Sequence, residues 1–413
     1  MTAVTSSSVK SFGWRTPAVV IVSGCLVALL SFGPRSSLGQ FLTPISMEHG
    51  WDREVFSLAL ALQNILWGLG QPFAGGLADK YGAPRVLSVG GLLYAAGLLL
   101  MTFSDTPAMF NLSAGVLIGF GLSGSSFSLV IGALGKLVPE EKRMMAFGLG
   151  TAAGSFGQFL FSPMARLMID GYGWQFALMV FAALMMLVIP LAQALAAPPR
   201  GEGVARAMPQ QSAKQALMEA FGHRSYVLLV IGFFTCGFQL AFVTVHLPAY
   251  MLDRGLSAQI GAMTIGIIGL CNIFGSMFAG YMSGRVPKNY VLSAIYFGRG
   301  VAIVAFMLLP ATTGSAILFG AVTGFLWLST VPPTNGLIAV MFGTRWLTML
   351  SGAAFMSHQI GSFLGVWLGG FVFVHTGSYD PVWYLSIFFC VMSSLINLPI
   401  VEKPIVRAEM QAA

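Results

Sequence analysis

The sequence predicts an all-α membrane protein in which twelve transmembrane helices form two six-helix bundles. Of the 413 residues, 56% are hydrophobic and only 8% are charged, whereas an ordinary soluble domain is about 25% charged. The apolar residues are gathered into twelve runs of the length that a bilayer-spanning helix needs, about 20 residues. Two short basic loops of similar character begin at Gly75 and Gly280, half the chain apart. Such a duplication is typical of transporters built from parallel repeats.

The apolar runs follow one another with short connections. The first six spans are predicted at 17–41, 54–77, 86–104, 108–134, 145–168 and 174–196. The second six are predicted at 225–250, 259–283, 290–310, 315–340, 347–374 and 381–401. Because the runs lack period-two alternation and are too long for tilted barrel strands, we expect helices. The predicted units are an N-terminal bundle at 1–196, a cytoplasmic linker at 197–224 and a C-terminal bundle at 225–413.

The distribution of lysine and arginine predicts the orientation of the spans. With a cytoplasmic N-terminus, sixteen of the 21 basic residues lie in cytoplasmic segments, three lie in outer loops, and Arg35 and Arg299 lie within spans. Positive residues accumulate on the cytoplasmic side, so we expect both termini to be cytoplasmic and the protein to lie in the inner (plasma) membrane. Basic residues spread over many loops do not indicate nucleic acid. The first run lacks a small-residue cleavage site and is therefore read as a helix, not a signal peptide.

A glycine-rich loop follows the second span. It reads GGLADKYG from Gly75 to Gly82, with Arg85 shortly after it. Glycines permit close packing and a tight turn, and Asp79 can pair with Lys80 or Arg85, or face the positive N-terminus of a neighbouring helix. The stretch resembles the signature loop between helices 2 and 3 of the major facilitator superfamily.

This resemblance implies a conformational latch that holds in one state of a carrier and breaks in the other. Its residues are Gly75, Asp79, Lys80, Gly82 and Arg85. The second copy of the loop has Gly284 and Pro287 where Asp79 and Gly82 stand in the first. We therefore predict a latch on one side of the molecule only.

Ionisable residues inside the spans are few, and all of them can be cationic. They are Arg35, His246, Arg299 and His358, whereas the carboxylates other than Asp79 lie in loops or at span edges. Charges within a bilayer are expensive and mark functional sites. Because the forked donors of arginine match a carboxylate, the pattern favours an anion over an organic cation as cargo.

We predict Arg35 as an anion clamp, with His246 and His358 as hydrogen-bonding or protonatable groups. Gly33-Pro34 loosens the first span just before Arg35, and Pro332-Pro333 marks a possible break in the tenth span. Structural alternatives are snorkelling of Arg35 to the outer surface, binding of Arg299 to a neighbouring backbone, and buried structural histidines. Further candidates for lining the site are Gln63, Asn64, Gln239, Asn272, Trp327 and Asn335.

Three stretches resemble the branch of the major facilitator superfamily that contains oxalate/formate antiporter-like and monocarboxylate transporter-like carriers. They are FGPRSSLGQF in the first span, GFFTCGFQLAFVTVHLPAY in the seventh and SHQIGSFLGVWLGG in the eleventh. Carriers of small carboxylates in that branch have an arginine in helix 8, where Asn272 is the most polar residue here. The oxalate carrier has a lysine in helix 11, where this chain has His358. The resemblance therefore implies a carrier without naming its cargo.

The expected function is secondary active transport of a small organic anion, a carboxylate, by alternating access between the bundles. Proton symport and anion exchange are both compatible with the sequence. The alternative with the same fold is an efflux carrier for drugs or amphipathic metabolites, and the alternative of another class is a transporter-like sensor or a membrane-embedded enzyme. Because no phosphate-binding loop, nucleophile–base pair or metal-ligand spacing stands out, we expect no enzyme activity, no cofactor and no ATP drive. The expected partners are the cargo, the bilayer and protons, for a functional monomer.

Overall fold

A computed structural model describes residues 14–51, 53–196 and 211–405, and these residues form helices and turns without any strand. Twelve long helical segments account for most of these described residues. The first six are α1 (Pro17–Phe41), α2 (Arg53–Tyr81), α3 (Ala83–Met101), α4 (Pro107–Leu137), α5 (Glu140–Tyr172) and α6 (Trp174–Gln193). The second six are α7 (Arg224–Asp253), α8 (Ala258–Ser283), α9 (Lys288–Leu308), α10 (Thr313–Phe342), α11 (Leu347–Thr376) and α12 (Asp380–Asn397). Each corresponds to one predicted span.

The segments have the length that membrane crossing requires. Within the described part of the chain, nine helices are long and apolar enough to span a membrane. The other three, α2, α5 and α11, have 29, 33 and 30 residues. At about 1.5 Å per residue, each exceeds the roughly 30 Å of a bilayer core. The predicted linker falls partly on 197–210, outside the described residues, and ends in a short helix, Ala213–Gly222.

One-residue turns join two of the helix pairs. Gly82 connects α2 to α3 with a φ of +94°, and Gly173 connects α5 to α6 with a φ of +87°. Side chains other than glycine are strained at such angles. The glycine in the loop after α2 is therefore required by the turn itself.

Within each half, the helices pack in corresponding pairs. In the first half α1 packs along α5 and α2 along α4, and in the second half α7 packs along α11 and α8 along α10. Glycines bring these helices close: a Cβ added to Gly157 or Gly361 would lie 2.5 Å from Leu29 O or 2.2 Å from Phe234 O. Small residues at such crossings let backbones approach. The repeated pairing confirms the prediction of two six-helix bundles.

The two halves meet mainly along two helix pairs, α2 with α11 and α5 with α8, with smaller contacts of α4 with α11 and of α5 with α10. The contacts of α2 with α11 include the hydrogen bond between Asn64 and Gln359 and that between Asp79 and Met349. These contacts lie in the part of α2 that leads to the Gly82 turn. We call the end of the molecule that holds Asp79 and Gly82 the Asp79 end.

The contacts of α5 with α8 lie toward the same end. They include the hydrogen bond of Asn272 to Ser155, at 2.6 Å, and the crossing of Gly148 and Gly280. A Cβ on Gly148 would lie 3.0 Å from Ser276 O, so the backbones are nearly touching. The halves are therefore closed together at the Asp79 end.

Two helices that hold corresponding places in the halves are interrupted near their centres. In α4 the break falls at Ser126, whose φ of −63° and ψ of 156° are extended. In α10 the helix ends at Leu326 and resumes at Val331. The break expected near Pro332-Pro333 thus lies just before these prolines, which stand in the first turn of the new stretch, where a missing N–H is tolerated.

Candidate functional site

Arg35 lies in the last third of α1 and directs its guanidinium toward α2. Its Nη2 donates a hydrogen bond to the side-chain oxygen of Asn64, and its guanidinium carbon lies 4.8 Å from the ring centroid of Trp67. Among the described residues, no carboxylate pairs with Arg35, and its buried Nε has no hydrogen-bond partner. The contacts that the described residues make with this cation, from Asn64 and Trp67, are therefore neutral.

The backbone around Arg35 is held by a tight helix contact. Gly33 packs on Phe161 of α5, where an added Cβ would come within 2.4 Å of the ring. The hydroxyls of Ser36 and Ser37 both donate to the Gly33 carbonyl, at 2.7 and 3.1 Å. Both bonds are local to the turn that contains Pro34, whose missing N–H removes one hydrogen bond of the helix.

Two aromatic rings link Arg35 to His358 across the interface of the halves. The ring of Trp67 lies 4.9 Å from that of Phe355 in α11, and Phe355 stacks on His358 with 5.1 Å between centroids. Phe32 of α1 adds an edge contact to Trp67 at 6.2 Å. Tilted, offset and edge contacts are favourable for aromatic rings. The closed interface beside Arg35 is thus an aromatic one.

His358 is buried in α11 and connects to the Arg35 site through its sequence neighbour. Its Nδ1 lies 3.3 Å from the side-chain oxygen of Gln359 and 3.5 Å from the hydroxyl of Ser362. The amide nitrogen of Gln359 donates to the backbone oxygen of Asn64 at 3.2 Å. Arg35, Asn64, Gln359 and His358 therefore form one polar chain that crosses between the halves.

Arg299 adopts the structural alternative considered for it. From α9 it donates to the carbonyl oxygen of Leu326, at 2.7 Å, and to that of Trp327. Both carbonyls lie at the α10 break and have lost their helical partners. Since unsatisfied backbone groups are costly inside a bilayer, Arg299 stabilises the broken helix. Its Nη1 also lies 3.5 Å from the side-chain oxygen of Gln239 in α7.

Asn272 completes the α10 break and joins the two halves. Its side-chain oxygen accepts the backbone N–H of Leu328 at 2.9 Å, and its amide donates to Ser155 of α5 at 2.6 Å. At the corresponding break in α4, the hydroxyl of Ser31 donates to the carbonyl of Ser125 at 2.5 Å. Side chains from neighbouring helices thus satisfy both breaks.

The remaining predicted lining residues are engaged within their own halves. His246 shares a 2.9 Å hydrogen bond with Val366 O, and Gln63 donates to Ala114 O at 2.9 Å. The amide of Gln239 donates to Ser386 O at 3.2 Å and contacts the sulfur of Cys390 at 2.7 Å. Asn335 donates to Val331 O, one turn back, and its buried side-chain oxygen has no described partner. Of the predicted set, Arg35, Asn64 and His358 lie in one chain of contacts that crosses between the halves, whereas Gln239 and Trp327 meet at Arg299 within the second half.

The predicted latch residues gather where α2 meets α11. Asp79 accepts the backbone N–H of Met349 at 2.8 Å and pairs with Lys136 of α4 at 2.5 Å. Met349 is in the first turn of α11, so the Asp79 carboxylate faces the N-terminus of a neighbouring helix, as one of the predicted alternatives has it. It does not pair with Lys80 or Arg85 in the described structure. Lys80 instead lies over the Tyr81 ring, 5.0 Å from its centroid.

The two remaining latch residues differ in their surroundings. Gly75 packs on the backbone of α11, where an added Cβ would lie 2.6 Å from Thr348 O. Arg85 lies in the first turn of α3, beside a surface groove that Tyr81 also lines. Gly75 is thus part of the closed interface, whereas Arg85 lies at its side.

Three residues of the site were missed by sequence reasoning. Lys136 was counted as a cytoplasmic charge, although a lysine at the end of an apolar run can turn back into the protein. Phe355 and Gln359 were overlooked within an apolar span. Their spacing of four residues, which places them on one helix face beside His358, was the signal available.

Comparisons with known proteins agree with this architecture. The family model described as Major Facilitator Superfamily matches residues 24–366. Human monocarboxylate transporter 11 is 26% identical over 393 residues, which cover 91% of this chain and 80% of that protein. Rat monocarboxylate transporter 13 is 24% identical over 396 residues, 94% of this chain and 89% of that protein. A Bacillus subtilis (strain 168) protein named as an uncharacterized MFS-type transporter, YcxA, is 24% identical over 383 residues, 89% of this chain and 91% of that protein.

Solved structures have the same fold. The E. coli fucose:proton symporter FucP superposes with a TM-score of 0.72 at 17% sequence identity, covering 92% of this chain and 97% of that one. A structure of FucP in the outward conformation gives a TM-score of 0.72 at 16% identity, with the same coverage. At this identity the likeness concerns the fold.

Proposed function

The chain belongs to the Major Facilitator Superfamily and is a transporter, and we propose that it carries a small organic carboxylate bound at Arg35. The observation that carries this proposal is the environment of the guanidinium. Asn64 and Trp67 contact Arg35, and both are neutral. A desolvated cation without an anionic partner is unfavourable, so a carboxylate that docks there gains a charge-assisted hydrogen bond.

The position of Arg35 supports a role in alternating access. Asn64, its partner, accepts a hydrogen bond from Gln359 of α11, and the bond of Asp79 to Met349 joins the same two helices nearer the Gly82 turn. Arg35 thus lies next to a hydrogen bond that joins the closed halves. We propose that the Asp79 end is the cytoplasmic one, as the loop charges indicate, and that this structure is closed toward the cytoplasm. The units that rock against each other are then the bundles at 1–196 and 225–413, joined by the linker at 197–224.

The relatives give the proposal a second, independent support. Two proteins that match over nine tenths of this chain are named monocarboxylate transporters. We propose that this chain shares a carboxylate cargo with them, in the plasma membrane, with both termini in the cytoplasm. A monomer suffices, because Arg35 and His358 lie in opposite halves of one chain.

Of the two interior histidines, we propose that His358 carries the proton if transport is symport. The ring of His246 is bonded to the backbone at Val366 O and packs against Gly369, where a Cβ would lie 2.4 Å from the ring. His358 instead joins the polar chain to Arg35 through Gln359. The route by which His358 exchanges its proton is then the cleft that opens beside Arg35.

Uptake by proteoliposomes tests the cargo. Purified protein is reconstituted, and uptake of radiolabelled acetate, pyruvate, lactate, benzoate and oxalate is measured beside that of fucose and a quaternary ammonium cation. We expect saturable uptake of at least one carboxylate and none of the cation. Accumulation driven by an inward proton gradient indicates symport, whereas uptake that requires an internal carboxylate indicates exchange. Uptake of the cation alone contradicts the proposal.

The aromatic interface favours one second candidate, an exporter of amphipathic metabolites. Trp67 and Phe355 present ring faces beside Arg35, which suits a cargo that combines an apolar body with a charge. The same vesicles distinguish the candidates. An exporter would show energy-dependent efflux of a lipophilic dye such as ethidium, without competition by any carboxylate of the panel.

A further inference from the structure

Two residues of α2 each contact both Arg35 and α11. The side-chain oxygen of Asn64 accepts from Arg35 Nη2, and its backbone oxygen accepts from Gln359 at 3.2 Å. The ring of Trp67 lies 4.8 Å from the guanidinium carbon of Arg35 and 4.9 Å from the ring of Phe355. Asn64 and Trp67 are three residues apart and are therefore neighbours on one helix face.

We propose that Asn64 and Trp67 form a relay through which the Arg35 site controls closure of the two halves. In the anion-free protein, Arg35 of α1 ties α2 in place through the Asn64 side chain and the Trp67 ring, beside Gln359 and Phe355, and the Asp79 end stays closed. A carboxylate on Arg35 competes with Asn64, because its hydrogen bond to the guanidinium is stronger than that of a neutral amide. The side chains of Asn64 and Trp67 then keep their hydrogen bonds within α2, to Leu60 O and to Gln71. This stretch of α2 is no longer tied to α1 through Arg35, and its contacts with Gln359 and Phe355 weaken.

The relay supplies what ligand-driven opening requires. A ligand shifts a conformational equilibrium only as far as its affinity differs between the two states. With the relay, Arg35 has protein partners in the closed state and is free for a carboxylate once the contacts to α11 are broken. The loss of one neutral hydrogen bond or one aromatic pair changes the ratio of open to closed protein by about five-fold. Two such contacts therefore suffice to control closure of the two halves.

The Asn64 and Trp67 contacts are separate from the latch. Asn64 and Asp79 are fifteen residues apart on one helix, or about 22 Å at 1.5 Å per residue. Sites so far apart contribute additively to an equilibrium. The relay therefore predicts a pattern that a general loosening of the interface does not: Arg35 acts through Phe355 and Gln359, and it acts independently of Asp79.

The test measures opening without any anion. Spin labels are attached to Tyr81→Cys and Tyr290→Cys, which lie at the Asp79 end in opposite halves and are 50% and 55% exposed. The part-buried Cys25 and Cys271 are replaced by alanine, and the buried Cys236 and Cys390 are kept. Double electron–electron resonance then gives the ratio of open to closed protein. Arg35→Met is compared with the parent, alone and in a Phe355→Leu/Gln359→Leu background that lacks both relay contacts.

We expect Arg35→Met to raise the open-to-closed ratio about five-fold in the parent and by less than about two-fold in the background without the relay contacts. Asp79→Asn should shift the ratio equally with and without Arg35→Met. An unchanged ratio in the parent, or an equal shift in both backgrounds, overturns the relay. Arg35→Gln replaces Arg35→Met if the latter is not monodisperse. The proposal rests on the proposed function, because it treats Arg35 as the cargo site. The test itself uses no cargo. Its result therefore supports or overturns the relay even if the protein transports no carboxylate.

Discussion

Asp79 of α2 accepts the backbone N–H of Met349 at 2.8 Å, across the interface of the two halves. Met349 lies in the first turn of α11, where unpaired N–H groups and the helix dipole favour a negative charge. The other carboxylate oxygen pairs with Lys136 of α4 at 2.5 Å, and the Asp79 side chain is fully buried. One carboxylate therefore ties α2, α4 and α11 together at the closed end.

Replacing the Asp79 carboxylate by an amide should open this end. Asp79→Asn keeps the side-chain shape but removes the charge that binds Lys136 and the α11 N-terminus. Hydrogen bonds to charged groups contribute roughly 1.5–3 kcal/mol, so we expect the open-to-closed ratio to rise about ten-fold. The distance between spin labels at Tyr81→Cys and Tyr290→Cys reports it. Lys80→Gln is the matched control, because the cation that pairs with Asp79 is Lys136, and this variant should leave the ratio unchanged; an equal effect of both variants argues against the latch.

Adjacent glycines of α2 provide a steric test of the same closure. A Cβ on Gly75 would lie 2.6 Å from Thr348 O, whereas a Cβ on Gly76 would lie 3.4 Å from the sulfur of Met349, an ordinary contact. We expect Gly75→Ala to push α2 from α11 and slow transport about ten-fold or more, because backbone contacts at this distance must move apart. Gly76→Ala should stay within about two-fold of the parent. Equal rates for the two variants would show that the α2–α11 contact does not limit transport.

The two interior histidines should respond differently to the same substitution. His246→Gln weakens a contact to Val366 O, so we expect a melting temperature lower by a few degrees, with KM within about two-fold of the parent. His358→Gln keeps a polar side chain but removes the imidazole that we propose carries the proton. We expect it to flatten the pH dependence of carboxylate uptake. A pH profile that survives in His358→Gln but is lost in His246→Gln reverses the assignment.

Asn272 should be required for stability and for closure. In Asn272→Leu, the Leu328 N–H at the α10 break loses its acceptor and Ser155 loses its donor. A buried unsatisfied group costs about 1–3 kcal/mol, although bonds between transmembrane helices average nearer 0.6 kcal/mol. We expect a lower melting temperature in detergent. Ser155→Ala removes only the bond between the halves and should have the smaller effect; a larger effect of Ser155→Ala would contradict this division.

The fold follows from the sequence because the bilayer imposes a simple rule on it. Spans must be apolar and about 20 residues long, and each of the twelve runs, such as that around Pro17–Phe41, became a helix. The break in α10 was expected at its paired prolines. The break in α4 falls at Ser126, within a stretch that holds four serines in six residues. A helix interruption without proline or glycine at the break leaves little trace in sequence.

The site was harder to predict because polarity alone does not say where a side chain points. Gln63 and Gln239 looked like lining residues, but each is bonded to backbone within its own half. Conversely, Phe355 carries no chemical signal in an apolar span, yet it joins Trp67 across the halves. Arg35 was identifiable because a charge in a span has few structural explanations. Its partner Asn64 was among the second-tier candidates.

Carboxylate uptake by Arg35 variants tests the central claim most directly. The parent, Arg35→Gln, Arg35→Lys and Arg254→Gln are reconstituted in proteoliposomes, and initial rates of saturable carboxylate uptake are measured. Arg254, which donates to the Tyr250 hydroxyl at 2.8 Å, is a control arginine outside the site. We expect Arg35→Gln to lower kcat/KM by about ten- to a hundred-fold, because it loses a charged hydrogen bond. Arg35→Lys should keep part of the activity, and Arg254→Gln should keep all of it. Uptake by Arg35→Gln at the parental rate and KM would contradict the account.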